Sequence, residues 1–123
     1  MDTVTIDGKD IKLKATGTTP VIFQEVFGAD LLLELNGKGL SESVAEQSTV
    51  TYRLHQLTYV MNRQAEGADF RTIINDGKEA YMNWLDEFTW SGLTKVAMEV
   101  LSVFNGDAQP TAELKKTPTS QES

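Results

Sequence analysis

Cysteine is absent from the 123 residues, so neither a disulfide framework nor a thiolate metal site can organise this fold. Histidine occurs once, as His55, with no acidic residue at the spacing that a metal pair needs. Cationic side chains are in the minority. Eleven Lys and Arg face 18 Asp and Glu, for a formal charge of −7, which argues against a phosphate-backbone partner, because such affinity rests on clustered Lys and Arg releasing counterions. Long apolar runs are missing too: no window nears the roughly 18 residues of a membrane span. The opening MDTVTIDGKD has neither the basic nor the apolar region of a secretion signal. Together these absences are compatible with a reducing cytoplasm and lead to the expectation of a soluble protein whose partner is another protein, with no membrane or nucleic-acid contact, no cofactor and no metal.

The chain is of a size for one domain, which buries roughly two-thirds of its unfolded surface. Residues 3–14 alternate: Val4 and Ile6 share a face, Asp7-Gly8 interrupts, and Ile11 and Leu13 resume between Lys12 and Lys14, which predicts a hairpin. A ribbon of this kind is marginal alone, so its apolar face is expected on the helices that follow. The segment TTPVIFQEVFGADLLLEL, 18–35, is the organising stretch. Thr19 before Pro20 is expected to start a helix, with its hydroxyl accepting an orphan amide. Phe23, Val26 and Phe27 give that helix its stripe, and Gly28 is suited to close it in the left-handed region. Asp30 is placed to cap a second short helix through Leu31, Leu32, Leu33 and Leu35, apolar nearly all round, which something must cover.

Ser41 or Ser43 begins a longer helix, the latter with Glu46 as a capping box. It runs to about Ala65, with Val50, Leu54, Leu57 and Met61 as its stripe, Tyr52, Tyr59 and Val60 widening the flanks, and Glu46, Arg53, Gln56 and Arg63 opposite. Phe70, Ile73 and Ile74 form a short apolar patch. After a break at Asn75-Asp76-Gly77, a helix from about Lys78 to Glu87 presents Tyr81, Trp84, Leu85 and Phe88. One continuous final helix carries Leu93, Val96, Ala97, Val100, Leu101 and Phe104 and ends at Asn105-Gly106. Beyond it, DAQPTAELKKTPTSQES has almost nothing to bury and is expected to be disordered. The predicted fold class is therefore mainly α, a single domain over 1–106 of four to five helices with an N-terminal β-hairpin, and a disordered tail over 107–123. Phe27, Leu54, Trp84 and Val100, each on its own stripe, are expected to share the core.

No catalytic constellation emerges. His55 is expected at the surface or boundary. Asp86 and Glu87 are adjacent in a helix, so their side chains diverge and cannot share an acid-base site. Gly37-Lys38-Gly39 lacks the P-loop spacing and a preceding strand, which leaves it a connector. Trp84 reads as core, whereas Trp90, at a helix junction, is open to either burial or exposure as a partner anchor.

The order of these motifs carries a resemblance. A hairpin with Asp-Gly is followed by Thr-Pro leading into Phe27-Gly28-Ala29-Asp30 and a leucine-rich turn. A middle amphipathic helix, then Trp84-Leu85-Asp86-Glu87-Phe88, then a final apolar helix ending Phe104-Asn105-Gly106 complete it. From Val4 to Gly106 this resembles the tail assembly chaperones of long-tailed bacteriophages, although relatives commonly carry a basic residue where Ala29 stands. The resemblance implies a non-enzymatic protein that binds the long tape measure protein in the host cytoplasm, keeps it soluble while the tail tube assembles, and is absent from the mature virion. A small structural head-tail connector retained in the particle is the alternative. Leu31, Leu32, Met61, Met82, Trp90 and Met98 are the expected partner-binding residues, the methionines being soft groove-formers that ordinary packing also explains. Leu114-Lys115-Lys116 is compatible with a slippery heptamer, A-AAA-AAG. A long form made there would share residues 1–116 and reach the major tail tube protein through a flexible tether.

Overall fold

The computed structural model describes residues 2–31 and 44–107. A β-hairpin, β1 (Asp2–Ile6) and β2 (Lys9–Leu13), is followed by five described helices. They are α1 (Thr19–Phe27), α2 (Val44–Ala65), α3 (Phe70–Leu85), α4 (Trp90–Lys95) and α5 (Ala97–Asp107). The fold is mainly α with an N-terminal hairpin, as the sequence predicts. The expected tail from 108 on, its lysine pair, Leu32 to Leu35 and the Ser41 and Ser43 caps all lie outside the described residues.

The hairpin follows its alternation. Val4 pairs with Ile11 and Ile6 with Lys9, so Asp7 and Gly8 form the turn. Both have positive φ, 52° and 81°, the combination that keeps the turn's twist in step with its strands. Val4, Ile6 and Leu13 are buried, and the charged alternates face out. Pro20 stands in the first turn of α1 and Gly28 closes it at φ 69°, again as the sequence predicts. Thr19 does not cap. Its Oγ1 accepts from the Thr16 amide at 2.8 Å and donates to Gln64 Oε1 at 2.6 Å, so it ties the start of α1 to the end of α2 instead.

α2 is the axis of the molecule, packed against β2, α1, α3, α4 and α5. With neighbours on every side, all its residues from Leu54 to Asn62 are buried. Here the single-stripe reading fails. Gln56, expected on the solvated face, is buried, and so is His55, expected at the surface or boundary, while Tyr52, expected on a flank of the stripe, is largely exposed. The reason is geometric: a helix enclosed all round has no outer face for its polar residues, which take hydrogen bonds inside instead.

In α3 the break falls at Gly77, whose φ 64° and ψ −159° belong to a region open essentially to glycine alone. Its first turn is capped by Asp69, which accepts from the Thr72 amide at 2.9 Å. Of the apolar patch there, Ile73 is buried and Phe70 is exposed. The predicted continuous final helix is two helices, because at Val96 the backbone leaves helical geometry (φ −101°, ψ 2°) and its N–H turns to Thr94 O. The Thr94 hydroxyl also donates back to Trp90 O at 2.9 Å, a local bond that competes with helix continuation. α5 then runs through Asn105-Gly106 to Asp107 instead of ending there. Phe27, Leu54, Trp84 and Val100 all lie in one core.

Candidate functional site

The two halves of α2 meet different surroundings. Toward Ala65 the polar groups are matched. Asn62 Nδ2 donates to Lys12 O at 3.0 Å and its Oδ1 accepts from Trp84 Nε1 at 3.1 Å, while Tyr59 OH accepts from Arg63 Nη1 at 2.8 Å. Arg63 also pairs with Asp76 at 2.8 Å, and Lys14 N reaches Met61 O at 3.1 Å. The aromatic rings of Phe27, Tyr59, Tyr81 and Trp84 pack edge-on or offset, with centroids 5.0 to 6.4 Å apart, the geometry that ring quadrupoles favour.

Toward its start, α2 borders a half-open groove of about 380 Å³. Phe27 and Tyr81, both buried, line it together with Tyr52 and Met82, 49% and 57% exposed. Arg53, Gln56 and Lys78 supply its polar lining. The apolar surface continues past the groove, since the Tyr52 ring meets Trp90 edge-on with centroids 6.1 Å apart and Trp90 is 53% exposed. Beneath Trp90 lies His55, ring centroids 4.0 Å apart.

Polar matching is incomplete on this side. Among the described residues, Tyr81 OH and His55 Nδ1 are buried without a hydrogen-bond partner. Burial, together with the nearby Tyr52 phenol, holds the Tyr81 phenol above its ordinary range, against the opposing pull of Arg53. Burial likewise pushes His55 down to about 4, so the ring is neutral at neutral pH. Its Nε2 sits 3.1 Å from Thr94 Oγ1, and because the Thr94 hydroxyl hydrogen goes to Trp90 O, Nε2 is the donor.

The hairpin steadies α4, and with it Trp90. Asp7 at the turn accepts from the Thr89 amide at 2.6 Å and from the Thr89 hydroxyl at 2.9 Å, which hold its carboxyl below the usual range. Thr89 in turn caps α4 by accepting from the Gly92 amide at 3.0 Å. Gly92 presses so closely on Asp7 that a Cβ there would collide with the carboxylate.

The residues expected to bind a partner therefore separate. Met82 and Trp90 belong to one exposed surface with Tyr52 between them. Met98 is exposed on α5 and does not line the groove. Leu31 and Met61 are core residues, closed to any partner that leaves the fold intact, and Leu32 lies outside the described residues. Sequence reasoning missed Tyr52, Lys78 and Tyr81. Tyr52 was the legible one, standing apart from the Val50, Leu54, Leu57, Met61 stripe.

Among the described residues, no group of three or more His, Asp or Glu side chains could hold a metal ion, and no helix is long and apolar enough to cross a membrane. No family model, curated protein or solved structure matches this chain.

Proposed function

We propose that this protein is a bacteriophage tail assembly chaperone that holds the tape measure protein soluble through the Tyr52, Met82 and Trp90 surface. The observation that supports the reading best is this surface. Two large side chains about half exposed, Tyr52 and Met82, line a groove on a small acidic helical domain and a third, Trp90, stands beyond it against Tyr52, and apolar area of this kind marks interaction sites. An amphipathic helix laid in a groove presents side chains at successive turns, which suits a row running from Met82 across Tyr52 to Trp90. Release is part of the task. A half-open groove with a methionine at its side favours moderate affinity and an adaptable fit over an obligate interface. In this reading the protein acts in the host cytoplasm and leaves before the virion matures, and a long form carries the tube subunit.

The test is co-expression with the tape measure protein of the same phage. The soluble fraction of that partner should rise several-fold in the presence of this chain, and equal insolubility with and without it would remove the proposal. Mass spectrometry of purified virions separates the connector reading, which requires fixed copies in the particle.

A further inference from the structure

We infer that α4 is a latch over His55 that opens as a unit, and that the Asp7 carboxylate of the hairpin turn holds it shut. The place of Trp90 in a binding surface rests on the functional reading, whereas the latch itself does not.

The backbone isolates α4. Thr89 before it is extended (φ −90°, ψ 152°) and Val96 after it leaves helical geometry (φ −101°, ψ 2°), so the chain changes direction at both ends. Six residues are too few to hold a helix by their own hydrogen bonds. Its position is therefore set by what it packs against, α2, α5 and β1. A short element bounded by two breaks is suited to local opening that leaves the rest of a fold intact.

The choice of residue at the turn points the same way. Asp7 and Gly8 both have positive φ, and asparagine or glycine serves such a turn at least as well as aspartate. What aspartate adds is a carboxylate, whose two oxygens accept from the amide and hydroxyl of Thr89, the N-cap of α4. Lys9 grips the same segment, donating to Glu87 O at 3.4 Å and standing 5.3 Å over the Phe88 ring. Gly92 completes the fit. Alanine is the better helix former, but its Cβ would strike the Asp7 carboxylate, so α4 keeps the residue that leaves room for the clasp.

Beneath the latch lies the only histidine of the chain. His55 is fully buried, with its ring against Trp90 and its Nε2 on Thr94, both residues of α4. Lifting α4 uncovers His55 and carries Trp90 away from Tyr52. Asp7 and Thr89 are themselves exposed, so a change at the turn reaches the latch from outside.

The test treats the full chain with diethyl pyrocarbonate, which acylates neutral imidazole, and follows the His55 peptide by mass spectrometry. The ring is neutral at neutral pH, so access limits the rate. Asp7→Gly keeps the turn and deletes the carboxylate, and His55 should then react about fivefold faster than in the native chain. Asp7→Asn, which keeps one acceptor, should fall between. Gly92→Ala strengthens the helix yet displaces the carboxylate, and should also speed the reaction. With the clash removed, Asp7→Gly/Gly92→Ala should react no faster than Asp7→Gly alone. At low urea the rates should be nearly flat, as for a local opening. A native His55 that never reacts, an unchanged rate in Asp7→Gly, additive effects in the double variant, or a rate that climbs with urea along the global unfolding slope would each overturn the latch. The functional reading fails separately. A reactive His55 beside an insoluble tape measure protein would leave the latch standing, whereas a soluble tape measure protein beside an unreactive His55 would leave the chaperone reading and remove the latch.

Discussion

The two halves of α2 share one helix, yet among the described residues the buried polar groups toward Ala65 are matched, whereas two groups near its start are not. Around Tyr59, Asn62, Arg63 and Gln64 each polar side chain meets a partner on the hairpin, α1 or α3, or within α2 itself. Toward the start of α2 the Tyr52 and Trp90 rings stand partly in solvent, and among the described residues Tyr81 OH and the buried His55 Nδ1 lack partners. Buried polar groups stabilise a fold only when satisfied, and unsatisfied ones draw on stability. The matched half holds the molecule together, and among the described residues two buried groups near the other half, Tyr81 OH and His55 Nδ1, stand unsatisfied.

The largest expected effect that would break this comparison is Trp84→Ala. It removes a buried ring from the matched half and strands the Asn62 amide, so urea unfolding should show a loss of about 3 to 5 kcal/mol. A loss under about 1 kcal/mol would mean that the matched half is not where stability resides.

Next comes pH. His55 is held at about 4 in the folded chain against 6.5 as the ordinary value. As pH falls through 6.5 the unfolded chain takes up a proton and the folded one does not, so stability falls across this window and the effect levels off below about 4. The full effect is up to roughly 3 kcal/mol. Urea midpoints at neutral pH and near the lower edge of that window should converge more closely for His55→Gln than for the native chain. Equal acid sensitivity in the two would remove His55 from the buried side of α4.

The smallest effect is a matched pair. Asn62→Leu leaves Trp84 Nε1 and Lys12 O unpaired and should cost about 1 to 3 kcal/mol, while Tyr81→Phe deletes a hydroxyl that has no partner and should be neutral or slightly stabilising. Equal losses in thermal unfolding would erase the distinction between the halves.

Much of this was legible in the residues. The hairpin follows from alternation around Asp7-Gly8, α1 from Thr-Pro and Gly28, and the core from Phe27, Leu54, Trp84 and Val100, because local chemistry decides such features. Helix surroundings are not local. Nothing in the order His55-Gln56-Leu57-Thr58 says that five elements enclose α2, so a polar residue on it reads as solvated until the tertiary packing is known. The split at Val96 was hidden for a related reason, since its apolar period continues unbroken while the Thr94 hydroxyl bonds backward to Trp90. Of the candidate site, Met82 and Trp90 could be proposed from residue type alone. Tyr81 could not, because the sequence marks it as core and only the fold shows that this buried residue also lines the groove.

The double variant Tyr52→Ala/Met82→Ala tests the central claim most directly. Both side chains are about half exposed, so the variant should fold with stability within about 1 kcal/mol of the native chain. The decisive measurement is the soluble fraction of tape measure protein co-expressed with this variant at matched levels of folded protein. The account predicts that the fraction falls to the level seen without this chain. A tape measure protein as soluble with the variant as with the native chain would contradict it.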